Sequence, residues 1–309
     1  MKAFKYLSAG LLVVVIFYFI GNNLYTNWNK LSEITLNWNY GYVLISLLML
    51  ILAWLFAVKG LKMLFSEFGY DVSFKQVYII YFRSIGGKYL PGKLWQIAGS
   101  TYFASKAGIP EGISFTTFLV GQVYSVLAAL IMFGAMLLVG GFEFQYEILE
   151  HAKWTSIPVV IGLIVFALRP AIIEKNLNFL LRKLKREQVK LKFSMVKALW
   201  FTLYFGFCWF VFGVAFWFFA GSIFNVPIID VFGLSVIIAT AVVIGFLALI
   251  TPGGLGVREG IMILLLTSFG GYPNPLPAAL AIGFRVLITI SEIISSIPAW
   301  ISKPDNTLS

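Results

Sequence analysis

Long apolar runs are the feature that most constrains how this chain can fold. About 20 consecutive apolar residues cross a bilayer as an α-helix, because lipid offers the backbone no hydrogen bonds. Seven such runs recur along the 309 residues: 4–20, 40–61, 113–139, 155–168, 199–220, 229–250 and 277–300. Since 60% of the chain is hydrophobic and only 12% is charged, against about a quarter charged in soluble domains, lipid must be its solvent.

Two shorter apolar stretches, 73–107 and 251–270, are interrupted by glycine and proline. The predicted fold is therefore all-α and integral to the membrane, a single polytopic domain over residues 1–309. Counting the runs gives a bundle of roughly seven or eight transmembrane helices. The number depends on whether the two broken segments cross the membrane or re-enter.

Loop charge predicts the orientation of the chain. The segment 169–197 holds nine Lys and Arg residues against two Glu, whereas the loop 141–153 holds three Glu and one Lys. Basic loops stay on the cytoplasmic side, so we expect segment 169–197 and the Lys-bearing N-terminus to be cytoplasmic. Nucleic-acid binding is not expected, because the net charge of +10 lies beside membrane spans and leaves no basic soluble module.

Part of the basic segment is predicted to form an amphipathic helix, because apolar side chains recur there at helical spacing. These residues are Ile173, Leu177, Leu180, Leu181 and Leu184. Two interpretations stay open. The segment either only fixes the orientation of the chain on the membrane surface, or it also gathers anionic lipid.

Cysteine and histidine are too few for several kinds of chemistry. Cys208 is the only cysteine and His151 the only histidine. An intramolecular disulfide, a cysteine metal cluster, a His-ligated zinc site and a Ser-His-Asp triad are therefore not expected. We expect no cofactor and no metal, and interpret His151 as a solvated residue of the polar loop.

An internal repeat is the most informative pattern. Residues 89–96 (YLPGKLWQ) and 250–259 (ITPGGLGVRE) each follow an apolar run, and their prolines, Pro91 and Pro252, lie 161 positions apart. A second proline follows each motif, and 12 positions beyond it a polar residue lies inside an apolar span: Gln122 in one case and Arg285 in the other. We predict two repeat halves, about 1–153 and 154–309.

Proline and glycine give this repeat a physical reason. Proline removes a backbone donor and glycine permits conformations that end a helix. Broken helices survive in a membrane only where protein or a water-filled cavity covers them, as at the central sites of secondary transporters. A helix restarting at Leu94 or Gly256 would present free N–H groups and a positive dipole end, which favour an anion such as phosphate.

Charged residues accompany both interruptions. A charge at mid-bilayer costs about 2.5–3.5 kcal/mol on insertion scales, so such residues usually have a partner or a function. We expect Arg285 to pair with Glu292, two helical turns further on, and Glu259 to pair with Arg258 or with a residue elsewhere. The candidate substrate-binding residues are Lys88, Pro91, Gly92, Lys93, Trp95, Gln96, Gln122, Pro252, Gly253, Gly254, Gly256, Arg258, Glu259, Arg285 and Glu292.

Structural interpretations of these residues stay open beside the functional one. Arg285 and Glu292 could form a purely structural pair, and Lys93 could mark a membrane boundary. Gln122, with Ser125, could hydrogen-bond a neighbouring helix. Trp95 could belong to the aromatic belt at the membrane interface.

Residues 87–93 (GKYLPGK) and 252–260 (PGGLGVREG) resemble the hallmarks of the lysylphosphatidylglycerol synthase transmembrane-region family. This flippase-like membrane domain also occurs in bacterial multiple peptide resistance factors. The resemblance implies binding and translocation of an anionic or aminoacylated phospholipid, or of polyprenyl-phosphate-linked material. Synthase activity is not expected, because the aminoacylating soluble domain of the fused proteins does not follow the last span here.

The leading hypothesis is thus a lipid flippase or lipid-transport protein of a prokaryotic cytoplasmic membrane, with an anionic lipid as its partner. The sequence contains no Gly-x4-Gly-Lys-Ser/Thr motif, so transport would be passive, ion-coupled or driven by a partner. The alternatives are a secondary transporter of a small anion and a non-transporting subunit that serves a partner glycosyltransferase. An enzyme is the least supported class, because no acid–base pair is recognisable.

Overall fold

The computed structural model describes residues 38–90, 95–139, 147–183, 188–248 and 251–302. Within these ranges the chain forms ten α-helices and no strand, so the prediction of an all-α protein is confirmed. The helices are α1 (Tyr40–Glu67), α2 (Phe74–Ser84), α3 (Trp95–Lys106), α4 (Glu111–Val139), α5 (Glu147–Leu168), α6 (Pro170–Lys183), α7 (Met195–Gly221), α8 (Val231–Leu247), α9 (Val257–Ser268) and α10 (Leu276–Ile301).

Five of the described helices are long and apolar enough to cross a membrane: α1, α4, α7, α8 with the 3₁₀ turn before it, and α10. A sixth span results if α5 and α6, which meet at 85°, are counted together. The predicted number of seven or eight is therefore only roughly matched. The predicted span 4–20 lies outside the described residues.

Three short helices explain part of the difference between the predicted and the observed number of membrane spans. Helices α2, α3 and α9 contain 11, 12 and 12 residues, which is only roughly 17–18 Å at 1.5 Å per residue. None of them can cross a bilayer of about 30 Å alone. The two stretches that we predicted to be interrupted, 73–107 and 251–270, are where these helices lie.

Some predicted boundaries were wrong. Helix α1 continues past residue 61 to Glu67, and α5 already begins at Glu147, so His151 lies on a helix and not in a loop. Apolar content locates only the part of a helix inside hydrocarbon, because the helix itself continues wherever backbone hydrogen bonding is satisfied. Helix α8 ends earlier than predicted, at Leu247.

Local signals fix several helix ends. Ser73 and Gln76 form a capping box at the start of α2: each side chain accepts a hydrogen bond from the backbone N–H of the other, both at 3.2 Å. Such a box satisfies donors that the first turn of a helix leaves free. Pro170 is the first residue of α6, a position that suits proline, and it disfavours helical backbone at Arg169 before it.

Close packing joins the spans. Helix α1 packs along α7, α2 packs against α10, and α4 packs against α8. A Cβ atom on Gly213 of α7 would fall 2.3 Å from the Cα atom of Ser235 on α8. Only glycine allows the two backbones to approach so closely, as small residues do at membrane helix interfaces.

The order of elements is similar in the two predicted halves. In each half a long helix is followed by a second helix, an interruption, a twelve-residue helix and another long helix, first as α1–α4 and then as α7–α10. The predicted boundary at residue 153 falls inside α5. That the two halves share one fold stays a prediction, as does the single domain over 1–309.

Candidate functional site

The two interruptions lie against each other. A 3₁₀ turn ends at Tyr89 in the first, and a second turn spans Pro252–Gly254. A Cβ atom on Gly253 would lie 3.2 Å from Cδ1 of Tyr89 and 3.5 Å from Nη2 of Arg285. The first and second breaks, far apart in sequence, therefore share one place in the fold with α10.

Three candidate residues, Pro91, Gly92 and Lys93, lie outside the described residues. Of Pro252, only the backbone is described. Their roles stay predictions.

The backbone of the second interruption requires glycine. Gly254 and Gly256 have φ angles of +70° and +79°, in the left-handed region that residues with a Cβ atom rarely adopt. A Cβ atom on Gly254 would also come within 2.9 Å of the carbonyl oxygen of Gly245 on α8. Gly256 precedes α9, and its N–H donates to Oε2 of Glu259 at 2.6 Å.

A cavity of about 230 Å³ lies where these elements meet. Much of its wall is aromatic: Trp54, Tyr81, Phe118, Phe205, Trp209, Phe212 and Phe246. Its polar lining contains Lys88, Gln96, Gln122, Ser125, Arg258 and Arg285. A largely apolar pocket with a few convergent polar groups is typical of a ligand site.

Charge is distributed unequally around this cavity. Three cations line it among the described residues, namely Lys88, Arg258 and Arg285. The two neighbouring carboxylates, Glu259 and Glu292, are buried behind the lining, with 2% and 4% of their surface exposed. The described part of the site thus carries one more positive than negative charge, and the positive groups are the ones that face the cavity.

Glu292 connects α10 to the first interruption. One carboxylate oxygen forms a salt bridge with Lys88, and the other accepts a hydrogen bond from the hydroxyl of Tyr89 at 3.0 Å. The predicted Arg285–Glu292 pair is therefore wrong. Two residues seven positions apart on a helix are separated by about 10 Å along its axis, whereas Lys88 reaches Glu292 from a neighbouring element.

Arg285 instead pairs with Glu259. Its Nε atom lies 3.6 Å from Oε1 of Glu259, and its guanidinium carbon lies 5.6 Å from the centre of the Tyr89 ring. Oε2 of Glu259 is already used by the N–H of Gly256. Within the described part of the chain, Nη2 of Arg285 is buried without a hydrogen-bond partner, which is an unfavourable state for a charged donor unless a ligand completes it.

Lys88 is held by aromatic rings as well as by Glu292. Its ammonium lies 5.4 Å from the ring of Trp54 and 5.1 Å from that of Tyr89. Cation–π contacts of this kind stabilise a partly desolvated charge by about 0.5–2 kcal/mol. Arg258 differs from the other two cations, because it forms no salt bridge among the described residues although only 9% of it is exposed.

The remaining candidates divide into two groups. Gln96 lines the cavity together with Gln122. Ser125 also uses its backbone carbonyl, which accepts a hydrogen bond from the Trp209 indole at 2.9 Å. Trp95 is 55% exposed and does not line the cavity, which favours the interpretation as an interfacial residue.

Several residues of the site were not predicted from sequence. Tyr89 lies inside the first motif, but a tyrosine beside a break gives no sign of its hydrogen bond to Glu292. Trp54, Tyr81 and Trp209 lie in apolar helices, where an aromatic residue looks the same whether it faces lipid, core or cavity. No signal in the sequence distinguishes these cases.

Fold and site together define a class: a multi-pass helical membrane protein with a cation-lined cavity between two interrupted segments. A family model described as lysylphosphatidylglycerol synthase TM region matches residues 6–295. The chain therefore belongs to this family, which links it to lipid handling, and the resemblance inferred from the two motifs is confirmed. A comparison with curated proteins finds no match.

Proposed function

We propose that the protein binds the anionic headgroup of a membrane lipid in this cavity and carries it between leaflets, as a flippase or lipid-transport protein. The observation that carries the proposal is the unequal placement of charge. Lys88, Arg258 and Arg285 face the cavity, while the carboxylates that balance two of them lie behind it.

Electrostatic attraction between these cations and a phosphate would favour binding. Two unit charges 4 Å apart interact by about 4 kcal/mol at an effective dielectric constant of 20. A phosphate between Arg258 and Arg285 would also accept a hydrogen bond from the buried Nη2 of Arg285. Arginine suits this role, because its guanidinium presents several fixed donors to phosphate oxygens.

The dimensions and the wall of the cavity suit a headgroup and not a whole lipid. About 230 Å³ is less than the roughly 300–1,000 Å³ of pockets that enclose drug-sized ligands. The acyl chains would therefore remain outside the cavity, in the surrounding hydrocarbon. The guest is an anionic or aminoacylated phospholipid, or a polyprenyl-phosphate-linked lipid.

Movement of the headgroup would require the two halves to separate. The Lys88 and Tyr89 contacts to Glu292 join the first interruption to α10, so they would break and re-form as a headgroup passes. We propose that the halves α1–α4 and α7–α10 are the moving bodies. The sequence lacks a phosphate-binding loop, which supports passive, ion-coupled or partner-driven transport.

The membrane and the orientation are part of the proposal. The basic segment 169–197 supports a cytoplasmic location for α6 and for the N-terminus in a prokaryotic cytoplasmic membrane. We also propose that the protein is not an enzyme. The described residues of the site include cations and buried carboxylates, and no acid–base pair is recognisable among them.

Lipid exchange in liposomes tests this function. The protein is reconstituted with trace fluorescent phosphatidylglycerol or phosphatidylcholine, and chemical quenching of the outer leaflet measures exchange. We expect exchange of the anionic lipid by the wild type and a loss of at least about tenfold in Arg258→Gln and Arg285→Gln, since each removes roughly 1.4 kcal/mol or more of binding. Lys106→Gln, an exposed lysine away from the cavity, serves as the matched control and should behave as wild type.

Two results would count against the flippase. Exchange at background level in the wild type removes it, and so does equal exchange in the wild type and both arginine variants. Melting temperatures of all proteins, measured in detergent, separate a lost site from a lost fold.

The cavity volume also supports a second candidate, a transporter of a small soluble anion. A headgroup-sized cavity with surplus positive charge would hold free phosphate equally well. Uptake of labelled phosphate into the same liposomes, without lipid exchange, would support this transporter. A third candidate, a subunit serving a glycosyltransferase, predicts lipid binding without exchange and co-purification with that enzyme.

A further inference from the structure

A second positively charged surface lies away from the cavity, on α6 and the segment after it. Helix α6 leaves α5 at 85°. If α5 follows the membrane normal, α6 therefore runs along the membrane surface. Arg169 and Pro170 form the corner, and proline there prevents the two helices from joining into one.

The segment 188–193 is tied to α6 by three hydrogen bonds. The N–H of Val189 donates to Oδ1 of Asn178 at 2.7 Å, and Nδ2 of Asn178 donates to the carbonyl of Val189 at 2.8 Å. The N–H of Leu191 donates to Oε2 of Glu174 at 2.8 Å. Together, residues 170–183 and 188–193 form one built unit, here named the basic platform.

Side chains of the basic platform are sorted by charge. Its buried residues are Ile173, Leu177, Leu181, Leu191 and Phe193. Its exposed cations are Lys175, Arg182, Lys183, Lys190 and Lys192. In segment 188–193 the two kinds alternate, as expected for extended backbone whose successive side chains point to opposite sides.

Little negative charge offsets these cations. Glu174 is the only acidic residue in the basic platform, and its carboxylate accepts the hydrogen bond from the backbone of Leu191. Two exposed apolar residues, Ile172 and Phe179, accompany the cations. The ammonium of Lys183 lies 4.6 Å from the Phe179 ring, which keeps charge and apolar surface side by side, as in interfacial helices.

We propose that the basic platform binds anionic phospholipid headgroups of the leaflet on which it lies and concentrates them beside the protein. Complementary charge and the right-angle course of α6 select a membrane surface as the occupant. Each Lys or Arg close to an anionic leaflet favours binding by about fivefold. None of the platform residues lines the cavity, so this surface is separate from the proposed transport site.

Energy transfer to labelled lipids tests the proposal in the full-length protein. Cys208 is the only cysteine, so a Cys208→Ala, Asn176→Cys variant carries a single coumarin donor on the exposed side of α6. It is reconstituted in phosphatidylcholine vesicles with 10% phosphatidylglycerol and trace acyl-chain-labelled acceptor of either lipid. The measured quantity is the ratio of transfer to labelled phosphatidylglycerol over transfer to labelled phosphatidylcholine.

We expect transfer to labelled phosphatidylglycerol to exceed transfer to labelled phosphatidylcholine by at least about threefold. This is less than the roughly fivefold preference that a single Lys or Arg near an anionic leaflet gives. The ratio should fall to about one when Arg182, Lys183 and Lys192 are changed together to glutamine, and also at high salt. A control of equal charge change replaces Lys59, Lys62 and Lys106, which lie outside the platform, and should keep the ratio. A ratio of one in the wild type, or an equal fall in both triple variants, would overturn the proposal.

Discussion

Removing one partner of the buried Lys88–Glu292 salt bridge is predicted to destabilise the protein far more than removing one partner of an exposed salt bridge. The Lys88 and Glu292 side chains are 22% and 5% exposed, and Glu292 also accepts the hydroxyl of Tyr89. Removing one partner of a buried pair leaves an uncompensated charge and costs about 3–5 kcal/mol. We therefore expect Glu292→Gln and Lys88→Met each to lower the free energy of unfolding by about 3 kcal/mol, the partial exposure of Lys88 reducing the upper value.

The double variant should be much less affected than the sum of the single ones. Replacing both partners removes both buried charges. We therefore expect the double variant to cost about 2–4 kcal/mol instead of the roughly 6 kcal/mol of the sum, which is a coupling energy of about 2–4 kcal/mol. The salt bridge between Lys197 and Glu67 is a matched control. Nζ of Lys197 lies 2.7 Å from Oε2 of Glu67, but the two side chains are 55% and 21% exposed. An exposed pair of this kind should couple by less than about 1 kcal/mol.

Equilibrium unfolding in mixed micelles, followed by circular dichroism, gives the four free energies of each double-mutant cycle. We expect a coupling energy that is clearly larger for Lys88 and Glu292 than for Lys197 and Glu67. Additive effects of Lys88→Met and Glu292→Gln would refute it, because the two side chains would then act independently.

Three further changes have expected results. Gly254→Ala should destabilise the protein by about 1–3 kcal/mol, because Gly254 has a positive φ and its added Cβ would contact Gly245. Gly260→Ala should not destabilise it, because a Cβ there would meet nothing within 4 Å. Equal melting temperatures of the two variants would contradict this steric explanation. Tyr89→Phe should lower the free energy of unfolding by about 1–3 kcal/mol, because buried Glu292 loses the hydroxyl that donates to it. Tyr89→Ala should lower it further in the same unfolding assay, because the ring beside Arg285 is lost too. Asn178→Ala should speed amide hydrogen exchange of segment 188–193 without changing exchange in α7, and unchanged rates would show that the side chain does not tie the segment.

Sequence reasoning predicted the elements that depend on local composition. Helices α1 and α4 follow from the length of their apolar runs, because the bilayer thickness fixes how many residues a span needs. The second interruption follows from Gly254 and Gly256, since a left-handed backbone conformation is nearly specific to glycine. These signals are carried by neighbouring residues, so they can be read without tertiary information.

Pairings across the fold could not be predicted in the same way. Lys88 and Glu292 are 204 positions apart, and their contact depends on how α2 packs against α10. We expected Arg285 to pair with Glu292 because Glu292 is the only acidic residue on the same helix. In the folded protein, Glu259 of α9 pairs with Arg285 instead. The right-angle bend between α5 and α6 was not predicted either, although an amphipathic helix in the basic segment was.

The most direct test of the central claim is binding of a soluble short-chain lipid to the purified protein. Titration calorimetry compares dihexanoyl-phosphatidylglycerol with dihexanoyl-phosphatidylcholine in wild type, Arg258→Gln and Arg285→Gln. The account predicts that the wild type binds the anionic lipid at least about tenfold more tightly than the zwitterionic one, a difference of roughly 1.4 kcal/mol, and that either substitution removes the preference. Equal affinity for both lipids in the wild type, or an unchanged preference in both variants, would contradict it.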